Sequence, residues 1–373
     1  MKNVDIIYGK YLSEDKKVTV GGVQTYITNL CEIANELGMK VRIVQFAEHD
    51  FIWELPTGVQ VMGVNVQARA TSCRYQHLYN KAVDSRSNPD TLTIFATDMI
   101  IPRCVSGRCI AIQHGISWDV PRSTWRPLPL QIAFRAGSAY RMAKRLNRMD
   151  AVVCVDYNFL NWYRTQLCQI PKSVFVIPNY SVVAPKCEKG KGKIKIIFAR
   201  RLYQYRGTRV FTEAIRQLLD EMSNDIDVTI AGTGEDEHWM HQQLDRYDNV
   251  HFIAYESSES LEIHKDKHIA VVPTVGSEGT SLSLLEAMSA QCAVICTNVG
   301  GMTNIVIDGY NGLMVDSGNS QQLYNALKQT IEDSNMRKKV AQKGYETVAE
   351  GFNHDKWKKS WIRCLRLFAE EKD

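Results

Sequence analysis

Short apolar runs alternate along this chain with longer stretches whose apolar residues recur every three or four positions. That alternation constrains the fold more than any other feature. A four- to six-residue apolar run reads as a buried strand, and a 3.6-residue period reads as a helix with one buried face. Repeated in turn, they build βαβ units and hence parallel sheets. The predicted strands are Asp5–Tyr8, Val41–Phe46, Thr91–Ala96, Cys109–Gln113, Ala151–Val155 and Val174–Ile177. A second series follows at Ile194–Ala199, Val228–Ala231, Val250–Ala254, Ile269–Val272, Ala293–Cys296 and Gly312–Val315. Helical patterns lie between them, such as Val23–Leu37, stopped by Gly38, and Arg209–Met222.

The two series meet at Ser181–Lys193, SVVAPKCEKGKGK, which has a Pro, two Gly and four Lys and no apolar period. The expected organisation is therefore a first Rossmann-like domain over 1–181, a second over 192–352, and a tail over 353–373. In that tail Trp357, Trp361, Leu365 and Phe368 recur at spacings of three and four. This is an amphipathic helix that must bury its aromatic face, and it is expected to cross back to the first domain. Two doubly wound domains facing each other leave a cleft at the carboxyl ends of both sheets, where open α/β folds bind ligands.

Composition narrows the class. The chain has 373 residues, 45% hydrophobic and 23% charged, which excludes a disordered chain or a coiled-coil rod. No run is long and apolar enough to span a bilayer, and Asp5–Tyr8 near the amino terminus reads as a strand, not a signal peptide. With 45 basic and 41 acidic residues the net charge is +4, too mild to call for nucleic acid. Between 122 and 148, however, Arg122, Arg126, Arg135, Arg141, Lys144, Arg145 and Arg148 are interleaved with Trp125, Leu128, Leu130, Ile132, Phe134 and Tyr140, with no acidic residue. That segment suits either an anionic bilayer surface or a solvated helix packed on the first domain. The ten cysteines include three inside strand-like runs and form no CxxC, so they read as reduced thiols of a cytoplasmic protein.

The stretch with most chemistry is 271–316. A strand ends at Pro273, a loop holds Gly276, Ser277, Glu278, Gly279 and Thr280, and a helix starts near Ser281. Free N–H groups and the positive end of a helix dipole make that junction a site for an anion such as a diphosphate. Glu286, further along the helix, suits a vicinal diol such as a ribose. Glu278 projects ahead of the helix.

A Glu, seven residues, then a second Glu within LLEAM resembles the retaining glycosyltransferases of family 4, which have the GT-B fold. Further segments agree in order. Gly21-Gly22-Val23 resembles the family's first Gly-rich loop, under the donor phosphates at Gly22 and near the acceptor at Gly21. Gln113-His114-Gly115, with Trp118-Asp119 beyond, resembles the point where a histidine contacts the transferred sugar or the acceptor side. Val176-Ile177-Pro178-Asn179 resembles the segment before the linker, with Asn179 near the cleft. Arg200-Arg201-Leu202 and Arg206-Gly207 resemble the diphosphate clamp, Gly-Arg-Leu then Lys-Gly. Arg201 matches the first cation, Arg206 stands for the Lys, and Arg200 replaces a Gly. Gly232 and Gly234 match the segment beside the nucleotide, and Phe252 to Tyr255 the part that packs on the base. Departures include Gln291 where the family often has Gly, and Thr303-Asn304 where it often has Pro-Glu.

The resemblance implies transfer of a hexose from a nucleotide-diphosphate sugar to a hydroxyl of a glycan or lipid-linked acceptor, in bacterial surface polysaccharide synthesis. The expected roles are Glu278 and His114 as catalytic groups and Glu286 on the ribose. Arg201, Arg206, Gly22 and the N–H groups of Gly279, Thr280 and Ser281 would hold the diphosphate. No metal or other cofactor is implied, and the nucleotide sugar is a co-substrate. A GT-B nucleotide-sugar epimerase and a non-catalytic nucleotide- or glycan-binding subunit are the alternatives. Other chemistries lack their motifs: there is no GxGxxG, no P-loop and no GxSxG elbow. His264 and His268, four apart but without the Glu of a zincin, read as a charged helix face.

Overall fold

The computed structural model describes residues 3–19, 21–67, 71–116, 127–166, 173–186, 188–276 and 278–369. The chain falls into two units. Of the described residues, one takes in the chain as far as His114, resumes at Pro127 and continues to Ile177, and is completed by the segment from Trp357; the other takes in Gly115 and Ile116 and runs from Pro178 to Lys356.

The first unit holds an eight-stranded sheet: β1 (Asn3–Ile7), β2 (Lys40–Ala47), β3 (Phe51–Glu54), β4 (Gln60–Asn65), β5 (Leu92–Phe95), β6 (Cys109–Gln113), β7 (Ala151–Cys154) and β8 (Ser173–Val176). Their order is β3-β4-β2-β1-β5-β6-β7-β8. All pairings are parallel except β3 on β4. The hairpin β3–β4 is absent from the predicted strands. β3 is the sheet's edge, where Ile52 and Trp53 are exposed and no buried period survives, while β4 inside it buries Val61 and Val64. Phe51 pairs with Gly63, and its ring occupies the space where a side chain at 63 would stand.

The second sheet comprises β9 (Ile194–Ala199), β10 (Ile226–Ala231), β11 (Val250–Ile253), β12 (Ile269–Val272), β13 (Ala293–Thr297) and β14 (Leu313–Val315), in the order β11-β10-β9-β12-β13-β14. It is parallel throughout. Both faces of its central strands are covered, which is why β12 and most of β13 and β9 read as apolar runs, whereas the edge strand β11 alternates with exposed His251 and Ile253. Ile196, Phe198, Val228 and Ile230 pack with helix Thr208–Met222 on one face. Ile197, Val272 and Val294 pack with helix Leu282–Ser289 on the other.

The lysine-rich segment read as an interdomain linker belongs to the second unit, and the division falls at Ile177/Pro178. Ser181 N–H donates to Phe352 O, and Ala184 N–H to Ser289 Oγ. Lys189 Nζ donates to Lys265 O at 2.7 Å and Ala290 O at 2.6 Å, satisfying carbonyls at the ends of two helices. Its polar groups are structural partners, so composition alone misreads it.

The tail forms helix His354–Ala369, which from Trp357 onward belongs to the first unit. Trp357, Trp361, Leu365 and Phe368 are buried on it. Trp361 Nε1–H donates to Tyr26 OH at 2.9 Å, and Tyr26 meets Trp357 edge-on at 5.1 Å. Among the described residues no helix is long and apolar enough to cross a membrane. Eight described cysteines are free thiols; Cys168 and Cys187 lie outside the described residues.

Candidate functional site

In the second unit the chain runs from β9 outward to β11, then returns to place β12 on the other side of β9. The carboxyl ends of β9 and β12 are therefore the switch point of the sheet, where the connections diverge and leave a crevice. The charged residues gather there. After β9 come Arg200 and Arg201, then a turn Gln204–Arg206 and Gly207, from which helix Thr208–Met222 starts. Gly207 has φ +88°, and a side chain there would strike Pro273 O after β12. Asp236, buried after β10, braces this turn by accepting from Thr208 Oγ1 and from Arg209 Nη2 at 2.8 Å.

From β12 the chain passes Thr274 and Glu278 to the N-cap Ser281 of helix Leu282–Ser289. Glu278 is the centre of the group. Its Oε1 accepts from Arg206 Nη1 at 2.6 Å and Arg200 Nη2 at 3.1 Å. Its Oε2 accepts from Arg200 Nη2 at 2.9 Å and Thr274 Oγ1 at 2.7 Å. Burial alone would raise the pKa of this carboxyl; Arg200, Arg206 and the Thr274 hydroxyl hold it at about 2. It is an anion at any physiological pH. Its backbone carbonyl accepts from Gly301 N–H at 2.6 Å, which fixes the loop. Ser277 lies outside the described residues.

The clamp expected of Arg201 and Arg206 is rearranged. Arg200, the residue in the place of a Gly, is buried and turned onto Glu278. Arg201 is exposed, with Nη2 3.5 Å from Tyr205 OH and its guanidinium 5.9 Å from the Tyr203 ring. The strand period ends at Ala199, so nothing in the sequence says which of two consecutive arginines turns inward. Their order against Leu202, which is fully buried, is decided by packing.

Gly279, Thr280 and Ser281 are at the helix start, with Thr280 and Ser281 buried. Asn179 Nδ2–H donates to Thr280 O at 2.8 Å, which seats Asn179 against the same loop. Glu286 does not share this network. Its Oε2 accepts from Ser260 Oγ at 2.5 Å, and burial pushes its pKa up, partly offset by that bond. Tyr255, whose hydroxyl burial pushes up to about 12, interacts electrostatically with both Glu286 and Arg200. Ser260 and Thr274 are site residues that no sequence motif marks.

The histidine pair read as a charged helix face is neither charged nor on one face. His264 is buried, donates from Nδ1 to Ser260 O at 2.6 Å, and is held neutral by burial at a pKa of about 4. His268 lies beyond the helix; its Nδ1 accepts from Lys195 N–H at 3.0 Å and its Nε2–H donates to Gly190 O at 3.0 Å. Gln291 keeps the left-handed turn where a Gly was expected, at φ +58°. Among the described residues no group of three or more His, Cys, Asp or Glu is placed to hold a metal ion.

In the first unit, Gly21 is the N-cap of helix Gly22–Glu36, and its carbonyl accepts from Thr25 N–H at 3.1 Å. His114 stands at the carboxyl end of β6. Its Nε2 faces Ala96 O at 2.9 Å, so that nitrogen carries the proton, and its ring meets Tyr26 edge-on at 5.1 Å. Burial lowers its pKa to about 4, partly offset by the carbonyl, so it is neutral at pH 7. Trp118 and Asp119 lie outside the described residues.

Residues 183–347 match the family described as Glycosyl transferases group 1. An uncharacterized glycosyltransferase of Methanocaldococcus jannaschii is 30% identical over 48% of this chain and 46% of its own, so the chain matches about half of that relative's length. A phosphatidyl-myo-inositol mannosyltransferase of Mycobacterium leprae is 22% identical over 88% of each chain. In fold, the sucrose-phosphate synthase of Thermosynechococcus elongatus superposes with a TM-score of 0.76 at 15% identity, covering 99% of this chain and 98% of that one. The Anabaena protein HepE, in complex with UDP-glucose, gives 0.73 at 15% identity over 98% and 100%. Two Rossmann-like parallel-sheet units of this kind are the GT-B fold, and residues 183–347, somewhat less than half of the chain, are similar to the glycosyl transferases group 1 family.

Proposed function

We propose that the protein is a retaining hexosyltransferase of the family 4 type, which moves a hexose from a nucleotide-diphosphate sugar to a hydroxyl of a glycan or lipid-linked glycan. The observation that carries this is the arginine-paired Glu278 beside a helix amino terminus, at the switch point of the second sheet. That combination offers cations and N–H groups to a diphosphate and one carboxylate to a sugar. Arg206 and Arg201 hold the diphosphate with the N–H groups of Gly279, Thr280 and Ser281. Fixed cations stabilise the charge that grows on a departing nucleoside diphosphate without reorganising, which makes a metal ion unnecessary. Glu286 exchanges the Ser260 hydroxyl for the ribose diol.

The bond from C1 to the phosphate oxygen breaks as the acceptor oxygen bonds C1 on the same face. The acceptor's proton passes to the leaving phosphate oxygen. Glu278 stabilises the oxocarbenium-like state. His114, neutral with its proton committed to Ala96 O, offers the Nδ1 lone pair to a sugar hydroxyl and has no proton to donate. Gly21 and Asn179 serve the acceptor side.

A thermal-shift screen of UDP, GDP and ADP, with and without their sugars, tests the donor site. Binding adds RT ln(1 + [L]/Kd), about 2.7 kcal/mol at a hundredfold excess over Kd, so the matching base raises Tm by several degrees. No rise with any of them overturns the proposal.

The place of action is the cytoplasmic face of a membrane, in surface polysaccharide synthesis. Helix Leu128–Leu146 supports this. Leu128 is 68%, Leu130 58% and Ile132 59% exposed, beside exposed Arg135, Arg141 and Lys144. Arg122, Trp125 and Arg126 lie outside the described residues. Each cation near an anionic surface contributes about 1 kcal/mol. The chain is expected to float with vesicles of phosphatidylglycerol and phosphatidylcholine, and not with phosphatidylcholine alone. Ile132→Glu is expected to weaken flotation. Binding indifferent to lipid charge overturns the membrane surface.

A further inference from the structure

We propose that Arg200 is a positioning residue: it holds Glu278 in place so that Arg206 is released to the donor's diphosphate. This rests on the donor-site proposal above. The two guanidiniums on Glu278 are not equivalent. Arg200 is 4% exposed at the side chain and tied at three points. Its Nη2 reaches both oxygens of Glu278, and its Nη1 donates to Thr274 Oγ1 at 2.6 Å. The Thr274 hydroxyl in turn donates to Glu278 Oε2, so Arg200, Thr274 and Glu278 close a ring that needs no further member. Thr274 is itself held, its carbonyl accepting from Thr297 Oγ1 at 2.6 Å. The Arg200 Nε–H is buried without a partner among the described residues. An unsatisfied donor is tolerated there because the guanidinium is aimed at the carboxylate and the threonine.

Arg206 reaches Glu278 through one contact, is 20% exposed, and rests 5.0 Å from the Tyr205 ring on a turn that ends at Gly207. An incoming diphosphate, with more charge than a carboxylate and several acceptor oxygens, competes with Glu278 for it. Stripping a buried carboxylate of all its cations is strongly disfavoured. With Arg200 in place, Glu278 keeps one cation and its geometry when Arg206 leaves. Without Arg200, Glu278 retains Arg206 and the diphosphate loses a ligand. Arg200 stands where the resemblance leads one to expect a Gly, so this device belongs to this chain.

The test is calorimetric titration of the full chain with UDP, GDP and ADP, comparing wild type, Arg200→Gly, Arg200→Lys, Glu278→Gln and the double variant Arg200→Gly/Glu278→Gln, with melting curves to verify folding. Arg200→Gly should weaken the bound diphosphate about tenfold, the size of coupling common between groups in one network. Arg200→Lys, which keeps the charge but loses the fork, should recover part of the loss. In the double variant Arg206 has no carboxylate to hold it, and affinity should return to that of Glu278→Gln alone. Wild-type affinity in Arg200→Gly overturns the proposal, and so does a loss that persists in the double variant, which marks Arg200 as a direct ligand or a packing residue. Should Arg200→Gly fail to melt cooperatively, Arg200→Lys with and without Glu278→Gln makes the same comparison, with a few-fold loss and its recovery expected. If wild type binds none of the diphosphates, the donor-site proposal fails and this one with it.

Discussion

Glu278→Gln is expected to lower kcat by about 10²- to 10³-fold while the nucleoside diphosphate still binds. Glutamine keeps the size of the side chain and an acceptor for the Thr274 hydroxyl. On the proposed mechanism it removes the charge that faces the developing positive charge at C1, and losing one preorganised electrostatic group typically costs that much. Binding behaves differently because Arg200 and Arg206, now uncompensated, attract the diphosphate at least as strongly as before. The signature is a fall in turnover without a rise in KM for the donor. Steady-state kinetics with the nucleotide sugar found by the thermal-shift screen measures it. Turnover within a few-fold of wild type removes Glu278 from the catalytic role.

The largest effect on stability is expected at Asp5→Ala, in the first unit. Asp5 lies on β1, in the middle of the first sheet, opposite Arg42 on β2 and Thr93 on β5. Its carboxylate accepts from Arg42 Nε and Nη2, each at 2.9 Å, and from Arg86 Nε at 2.9 Å. The side chains of Asp5 and Arg86 are almost fully buried, and Arg86 also donates to Thr93 Oγ1. Replacing such a network with apolar residues can be neutral, but removing one member leaves buried charge uncompensated and costs about 3–5 kcal/mol. For a unit of this size, roughly 2–4 °C is lost per kcal/mol, giving a fall of about 6–20 °C in the melting of the first unit. The two units need not melt together, so the expected trace has an early transition that wild type lacks. A shift equivalent to less than about 1 kcal/mol would show that the two arginines find other partners.

Local pattern carried much of this protein. Cys109–Gln113, Ile194–Ala199 and Ile269–Val272 are strands at the residues where their apolar runs place them. These strands are buried on both faces along most of their length, so burial is written into nearly every residue, Ile194 and Lys195 at the start of the second excepted. The aromatic spacing from Trp357 to Phe368 marks a buried helix face for the same reason. Phe51–Glu54 was illegible because an exposed edge strand has no buried side to declare, and Gln60–Asn65, with Val61 and Val64 buried beside Gly63, lacks the continuous apolar run of the other strands. Ser181–Lys193 was misread because polar composition does not distinguish a free linker from a strap whose lysine satisfies helix carbonyls.

The candidate site divides along the same line. Chain order alone sets Glu278 at the entrance to a helix, Glu286 within it, and a pair of arginines after β9, because strand, loop and helix follow one another in sequence. Which arginine meets Glu278 is a matter of three dimensions. Arg200 and Arg201 are adjacent, chemically identical and beyond the last strand residue, so no period separates them. The choice falls to the ring with Thr274, which follows a strand that lies beside β9 in space and some seventy residues on in sequence. His264 and His268 make the same point, since their spacing describes a helix face only while the helix lasts. Residue type and order thus set the chemistry that is available. Desolvation and strand adjacency, which arise only when distant segments pack, select the side chains that use it.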